Sequence, residues 1–163
     1  QKPIKKFKDH SLSVNEAVFS PDGKMALSAS ADATLKLWKI SDGKPIRTFK
    51  GHNGMVTSAA FLPSGNSILS GSTDHSLILW DLKSGSIITR FVGHGGPVLA
   101  VEVSSDGQSA ISSSYDGTLR RWNLKSGKTE KNRKKRKKRK IKICSDSSIN
   151  NHTHVLETRY EKI

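Results

Sequence analysis

Histidine, serine and aspartate recur in this 163-residue chain in sets that invite a catalytic reading. The sets are His10, Ser28 and Asp32, then His52, Ser70 and Asp74, then His94, Ser112 and Asp116. Each carries a tryptophan six residues after its aspartate, at Trp38, Trp80 and Trp122. A histidine that takes the proton of a serine hydroxyl while an aspartate orients it is the constellation of nucleophilic acyl transfer. Acyl transfer also needs donors for an oxyanion and an open pocket, and three equivalent copies suit no single-site catalyst, so no catalytic residue and no enzymatic activity are expected. The Asp-Gly pairs beginning at 22, 42, 106 and 116 are turn formers whose second residue favours positive φ, without the spacing of a cation loop. Cys144, His152 and His154 match no zinc spacing and stand in a polar stretch, so no metal and no cofactor is expected.

What must position these sets is a repeat. Each marker residue returns after 42 positions: His10, His52 and His94, Asp32, Asp74 and Asp116, and all three tryptophans of the chain. Between the markers, runs of five to seven residues with strand-type alternation are separated by turn pairs, the pattern of antiparallel hairpins. In the first repeat the spacing predicts strands over 14–20, 25–30, 34–40 and 45–50, with turns at 21–23, 31–33 and 41–43. Pro45 stands at the first position of its strand, where a missing N–H is tolerated.

Gly51-His52, Gly93-His94 and Trp80-Asp81, at this spacing, resemble the Gly-His and Trp-Asp marks of the WD-repeat family over residues 2–128. Asp9-His10, Trp38-Lys39 and Trp122-Asn123 depart from the marks. The resemblance implies an all-β fold, a partial β-propeller of three four-stranded antiparallel blades. It also implies a structural relay in place of a triad: in each blade the aspartate accepts from the histidine, the histidine binds the serine, and the serine takes the indole N–H. On this reading 1–9 is the outer strand of a preceding blade, 10–51, 52–93 and 94–128 are the three repeats, and 129–163 is a disordered basic tail. The third repeat is expected to lack its outer strand, because Glu130 and Arg133 take the places of Ile46 and Phe49. Arg121, where the other repeats have Leu37 and Leu79, marks that blade as terminal or partnered.

By analogy with the family, the exposed upper rim carries Ser13, Asn15 and Ala31, then Met55, Thr57 and Thr73, then Pro97, Leu99 and Tyr115, with peptide or protein partners expected on the second and third sets. Three blades cannot close a ring, since closed propellers have about four to eight. The chain is therefore expected to be a fragment of a larger propeller, or to complete a six-bladed ring by self-association, the first strand of one copy finishing the third blade of another.

Composition narrows the classes further. Lys plus Arg number 28 against 14 Asp plus Glu, a formal net charge of +14, and the excess is uneven: 1–128 is net +6 and 129–163 net +8. Ten of the twelve residues 131–142 are basic, and Lys134, Lys135, Arg136, Lys137, Lys138, Arg139 and Lys140 form an unbroken run. Such a run is a nuclear-import signal or a polyanion contact, and without interleaved aromatics it does not read bases. No stretch approaches the roughly 18 apolar residues of a membrane span, no signal peptide opens the chain, and one cysteine cannot form an intrachain disulfide, which fits a cytoplasmic or nuclear setting without a membrane partner. The function expected is a non-catalytic protein-interaction scaffold. The alternatives are nucleic-acid or polyanion binding through the basic run, and the sensor or regulatory portion of a longer signalling or redox enzyme.

Overall fold

The structure, a computed structural model, describes residues 5–125 and the backbone of Thr129–Glu130. Twelve strands fall into three antiparallel four-stranded sheets, each meandering in chain order, and no helix is present among the described residues. The first sheet is β1 (Val14–Phe19), β2 (Met25–Ser30), β3 (Thr34–Lys39) and β4 (Pro45–Lys50). The second is β5 (Val56–Phe61), β6 (Ser67–Ser72), β7 (Ser76–Asp81) and β8 (Ile87–Val92). The third is β9 (Val98–Val103), β10 (Ser109–Ser114), β11 (Leu119–Asn123) and β12 (Thr129–Glu130). These sheets are the expected blades, open and not closed into a ring.

Turn chemistry fixes the register. Between β2 and β3 the Asp32 carboxylate accepts from the backbone N–H of Thr34 at 3.0 Å, and Ser30 Oγ accepts from the Asp32 N–H at 3.1 Å. The residue that follows must turn left-handed: it is Ala33 at φ 66°, His75 at φ 69° and Gly117 at φ 76°. Only glycine adopts that conformation without steric cost.

Apolar residues bury themselves between sheets. Leu27, Ala29, Leu35, Leu37 and Phe49 of the first sheet pack on Val56, Ala59, Ile68, Ile78 and Trp80 of the second. Leu69, Leu77, Leu79 and Phe91 of the second pack on Val98, Val101, Ala110, Trp122 and Leu124 of the third. Polar ties cross the same junctions. Asn15 Nδ2 donates to the Val56 carbonyl at 2.7 Å, and Thr57 Oγ1 donates to the Val98 carbonyl at 2.8 Å. The Ala59 N–H donates to Glu16 Oε2, and the Val101 N–H to Ser58 Oγ. Outside them, Arg47 clasps the carbonyls of Lys83 and Ser84 in the next sheet.

One expectation needs correction. The third blade does have a fourth strand: β12 pairs Arg121 with Glu130 and Trp122 with Thr129. Ladder bonds come from the backbone, so Glu130 in the place of Ile46 does not prevent pairing. In the first two sheets the outer ladder runs five pairs and steps by one residue at Leu37/Trp38 and Leu79/Trp80, whereas the two pairs of the third show no step. Of the strand expected over 1–9, residues 1–4 lie outside the described residues, and residues 5–9 pair with no strand among the described residues. They still hold the expected place: Phe7 meets Trp38 edge-on at 5.7 Å, as Phe49 meets Trp80 at 5.7 Å and Phe91 meets Trp122 at 5.6 Å.

Candidate functional site

The structure brings the twelve marker residues together as three tetrads of one geometry. His10 Nδ1 lies 2.8 Å from Asp32 Oδ2 and its Nε2 2.7 Å from Ser28 Oγ, which accepts from Trp38 Nε1 at 2.7 Å. In the second sheet the corresponding distances for His52, Asp74, Ser70 and Trp80 are 2.8, 2.8 and 2.9 Å. For His94, Asp116, Ser112 and Trp122 they are 2.9, 2.7 and 2.8 Å. With the aspartate ionised, donors line up in one direction: indole N–H to serine, serine O–H to Nε2, and Nδ1–H to carboxylate. The strands explain the meeting. Ser70 on β6 pairs with Ile78 on β7, two residues from Trp80, so serine and indole lie on one face, and the turn after β6 brings Asp74 back over the histidine.

The serines of the second and third tetrads are sealed. Ser70 is 0% exposed and Ser112 1%, which denies them the access that a hydrolase nucleophile needs to its substrate. Among the described residues no buried side-chain polar atom lacks a hydrogen-bond partner.

Electrostatics favour one protonation state. Burial opposes the Asp74 charge, but the Ser76 hydroxyl, the Asn53 backbone N–H and His52 outweigh it and hold the pKa at about 2. Burial likewise opposes the Asp32 charge, and Thr34, His10 and the Ser11 N–H together carry it well below the usual carboxylate range. At Asp116 the Thr118 hydroxyl leads, with the Gly95 N–H and His94 adding to it, and the pKa again falls below that range. Burial pushes His52 down from its ordinary value against the pull of Asp74. Arg90 stands 3.7 Å from Asp74, and Arg120 3.8 Å from Asp116.

Backbone bonds pair the positions expected at the rim: the Ala31, Thr73 and Tyr115 N–H groups donate to the carbonyls of Ser13, Met55 and Pro97. Met55 is 47% exposed and Tyr115 80%, whereas Thr73 and Pro97 are half-buried. Thr57 does not belong with them, because its hydroxyl is used by the carbonyls of Gly71 and Val98 at the junction. Asn15 has the same duty, and Leu99, at the equivalent position, is exposed on the open side of the third sheet. Sequence reasoning missed this duty, although a short donor recurring at Asn15 and Thr57 was its signal.

Comparison with known proteins agrees with this geometry. The WD domain, G-beta repeat profile matches three times, over residues 1–39, 43–81 and 85–123. The chain belongs to the WD-repeat family. Its repeats resemble Ribosome assembly protein 4 of Saccharomyces cerevisiae, 49% identical over 43 residues, which is 26% of this chain and 8% of that protein. They also resemble the small ribosomal subunit protein RACK1, with 45% identity over 42 residues in Saccharomyces cerevisiae and 50% over 42 in Candida albicans, each match covering 26% of this chain and 13% of the relative. A single WD repeat thus accounts for each match, and the chain matches about a tenth of the relatives' length. Membership of this family and these relatives support a protein-interaction scaffold.

The basic run Lys134–Lys140 and the metal candidates Cys144, His152 and His154 lie outside the described residues. Among the described residues no cluster of three or more metal-ligating side chains occurs, and no helix is long and apolar enough to cross a membrane.

Proposed function

We propose that this chain is a non-catalytic scaffold whose WD repeats present the rim of the second and third blades to a peptide or protein partner. The carrying observation is the exposure of Met55 and Tyr115 on turns tied by backbone hydrogen bonds beside the tetrads. An apolar or aromatic side chain on an immobile turn loses little entropy on binding, which is what an interface anchor requires. The tetrads serve the fold: Ser70 and Ser112 are sealed, and among the described residues every buried side-chain polar atom has a hydrogen-bond partner.

Selection of a displayed peptide library on the 163-residue chain tests this reading. Tyr115→Ala and Met55→Ala should each weaken a selected peptide at least tenfold, whereas Lys24→Ala, at the opposite end of β2, should leave it unchanged. A peptide that binds Tyr115→Ala as well as it binds the parent places recognition elsewhere.

A second reading has its own support. Two kinds of relative carry ribosomal names, and residues 129–163 hold most of the net positive charge. Polyanion contact through Lys134–Lys140 would place the scaffold beside a nucleic acid without reading its sequence.

A further inference from the structure

In each sheet, one face turns toward the next sheet. Its central row is Val18, Leu27 and Leu37 in the first and Ala60, Leu69 and Leu79 in the second, paired directly across the strands. Those leucines are buried against the following blade. In the third sheet the same row reads Glu102, Ile111 and Arg121, all exposed. Glu130 of β12 stands opposite Arg121 in the ladder and Arg121 Nη2 donates to Ser109 Oγ at 3.4 Å, so a contact across copies would add to bonds that Arg121 already makes. The neighbouring row, Glu16, Ala29 and Leu35 in the first sheet and Ser58, Gly71 and Leu77 in the second, reads Ala100, Ser113 and Leu119.

These substitutions remove what another blade of the same kind would use. Glu16 and Ser58 accept a backbone N–H from the following sheet, and the side chain of Ala100 can accept nothing. Asn15 and Thr57 donate to a carbonyl of that sheet, and the side chain of Leu99 can donate nothing. A head-to-tail contact between the third sheet of one copy and the first of another would therefore lack both polar ties and set Arg121 where a leucine belongs.

We propose that the open face of the third sheet is a self-association surface, on which a second copy packs face to face about a two-fold axis running along β10. Such an axis lays β9 of one copy over β11 of the other at the roughly 10 Å separation of packed sheets. Glu102 then meets Arg121 of the other copy twice, Ile111 meets Ile111, and Ala100 lies opposite Leu119, small against large. Each face is complementary to itself, as an isologous contact requires. Three strands about 4.8 Å apart and about 20 Å long give only about 300 Å² per copy, below the roughly 800 Å² per partner of stable complexes, so the dimer is weak and reversible.

Sedimentation equilibrium of the full chain tests the surface. The mass should rise from 17.9 kDa toward twice that value as concentration increases. Glu102→Arg and Arg121→Glu should each weaken association at least tenfold, because every charge pair becomes a like pair. Mixing the two variants should restore it: one then carries positive charge at both positions and the other negative charge at both, so every pair across the contact is again of opposite sign. Ile111→Lys, at the axis, gives a second disruption, and circular-dichroism melts establish that each variant is folded. A chain that stays monomeric to 1 mM, association unaffected by both charge reversals, or a mixture of folded variants that fails to associate each overturns the proposal. The last two outcomes would direct attention to a ring-type contact through the first sheet.

Discussion

Ser70 connects two groups that have no other outlet, since its Oγ takes the Trp80 indole N–H and faces His52 Nε2 inside a site closed to water. Replacing it with alanine leaves a donor and an acceptor buried and unpaired, a loss of about 1–3 kcal/mol for each unsatisfied group. Ser70→Ala should therefore lower the urea midpoint markedly and create or remove no hydrolytic activity. Esterase turnover that disappears with Ser70 would sink the structural reading of the tetrads. Acid should act on the same group of residues. The folded pKa of Asp74 is about 2 against an ordinary 3.8, and that of His52 is also below its ordinary 6.5, so in both cases the folded state binds fewer protons than the unfolded chain. The stabilisation is present in full above pH 6.5. It falls as His52 titrates below that value, then falls again between about pH 4 and 2 as Asp74 is protonated. Urea midpoints measured from pH 7.5 to 3 should decline in this order, and a midpoint that rises between pH 7.5 and 5 would contradict the assignment of a neutral His52.

At the scale of strands and sheets, the two junctions solve one packing problem with different side chains. The first places Ala29 near Ala59, and the second places Gly71 near Val101. A Cβ on Gly71 would stand 2.6 Å from Val98 Cγ1 and 2.9 Å from Val101 Cγ1, both on buried valines that have little room to retreat. Gly71→Ala should thus cost about 1–3 kcal/mol as overpacking, and Val101→Ala in the same chain should recover part of it. Equal urea midpoints for the parent and Gly71→Ala would mean that the junction is looser than its contacts indicate. The repeat made most of this architecture legible from sequence, because alternation and turn residues placed β2 and β4 at their observed bounds and β1 and β3 within one residue. Two features escaped it, for physical reasons. β12 depends on backbone pairing, which side-chain pattern does not report, and the junction ties of Asn15 and Thr57 depend on how neighbouring sheets meet. The expected rim was legible only as spacing: Met55 and Tyr115 are exposed, whereas the hydroxyl of Thr57 is directed into a junction that emerges only when the sheets are packed.

For the molecule as a whole, charge and fold separate along the sequence. Residues 1–128 carry net +6 spread among ten acids, and the contiguous cations lie at Lys134–Lys140, after the third repeat. A polyanion that binds this chain should therefore do so through the run. Each phosphate neutralised releases counterions, so the logarithm of the affinity for duplex DNA falls with the logarithm of salt at a slope of about −0.9 per contact. Seven cations engaged together give a slope of about −6, measurable with a labelled duplex of about 20 base pairs between about 50 and 200 mM salt. Substituting all seven with alanine should bring the slope close to zero and leave the urea midpoint of the blades unchanged, because the tetrad and junction residues described above all lie within 5–125. A steep slope that survives the substitution would move the contact to the folded repeats, where Lys36 is already committed to Asp9, and Arg90 to Ser76 and Gly51. The binding would then come from surface lysines of the repeats such as Lys8, Lys24 and Lys50, which Lys→Gln variants would identify one phosphate contact at a time.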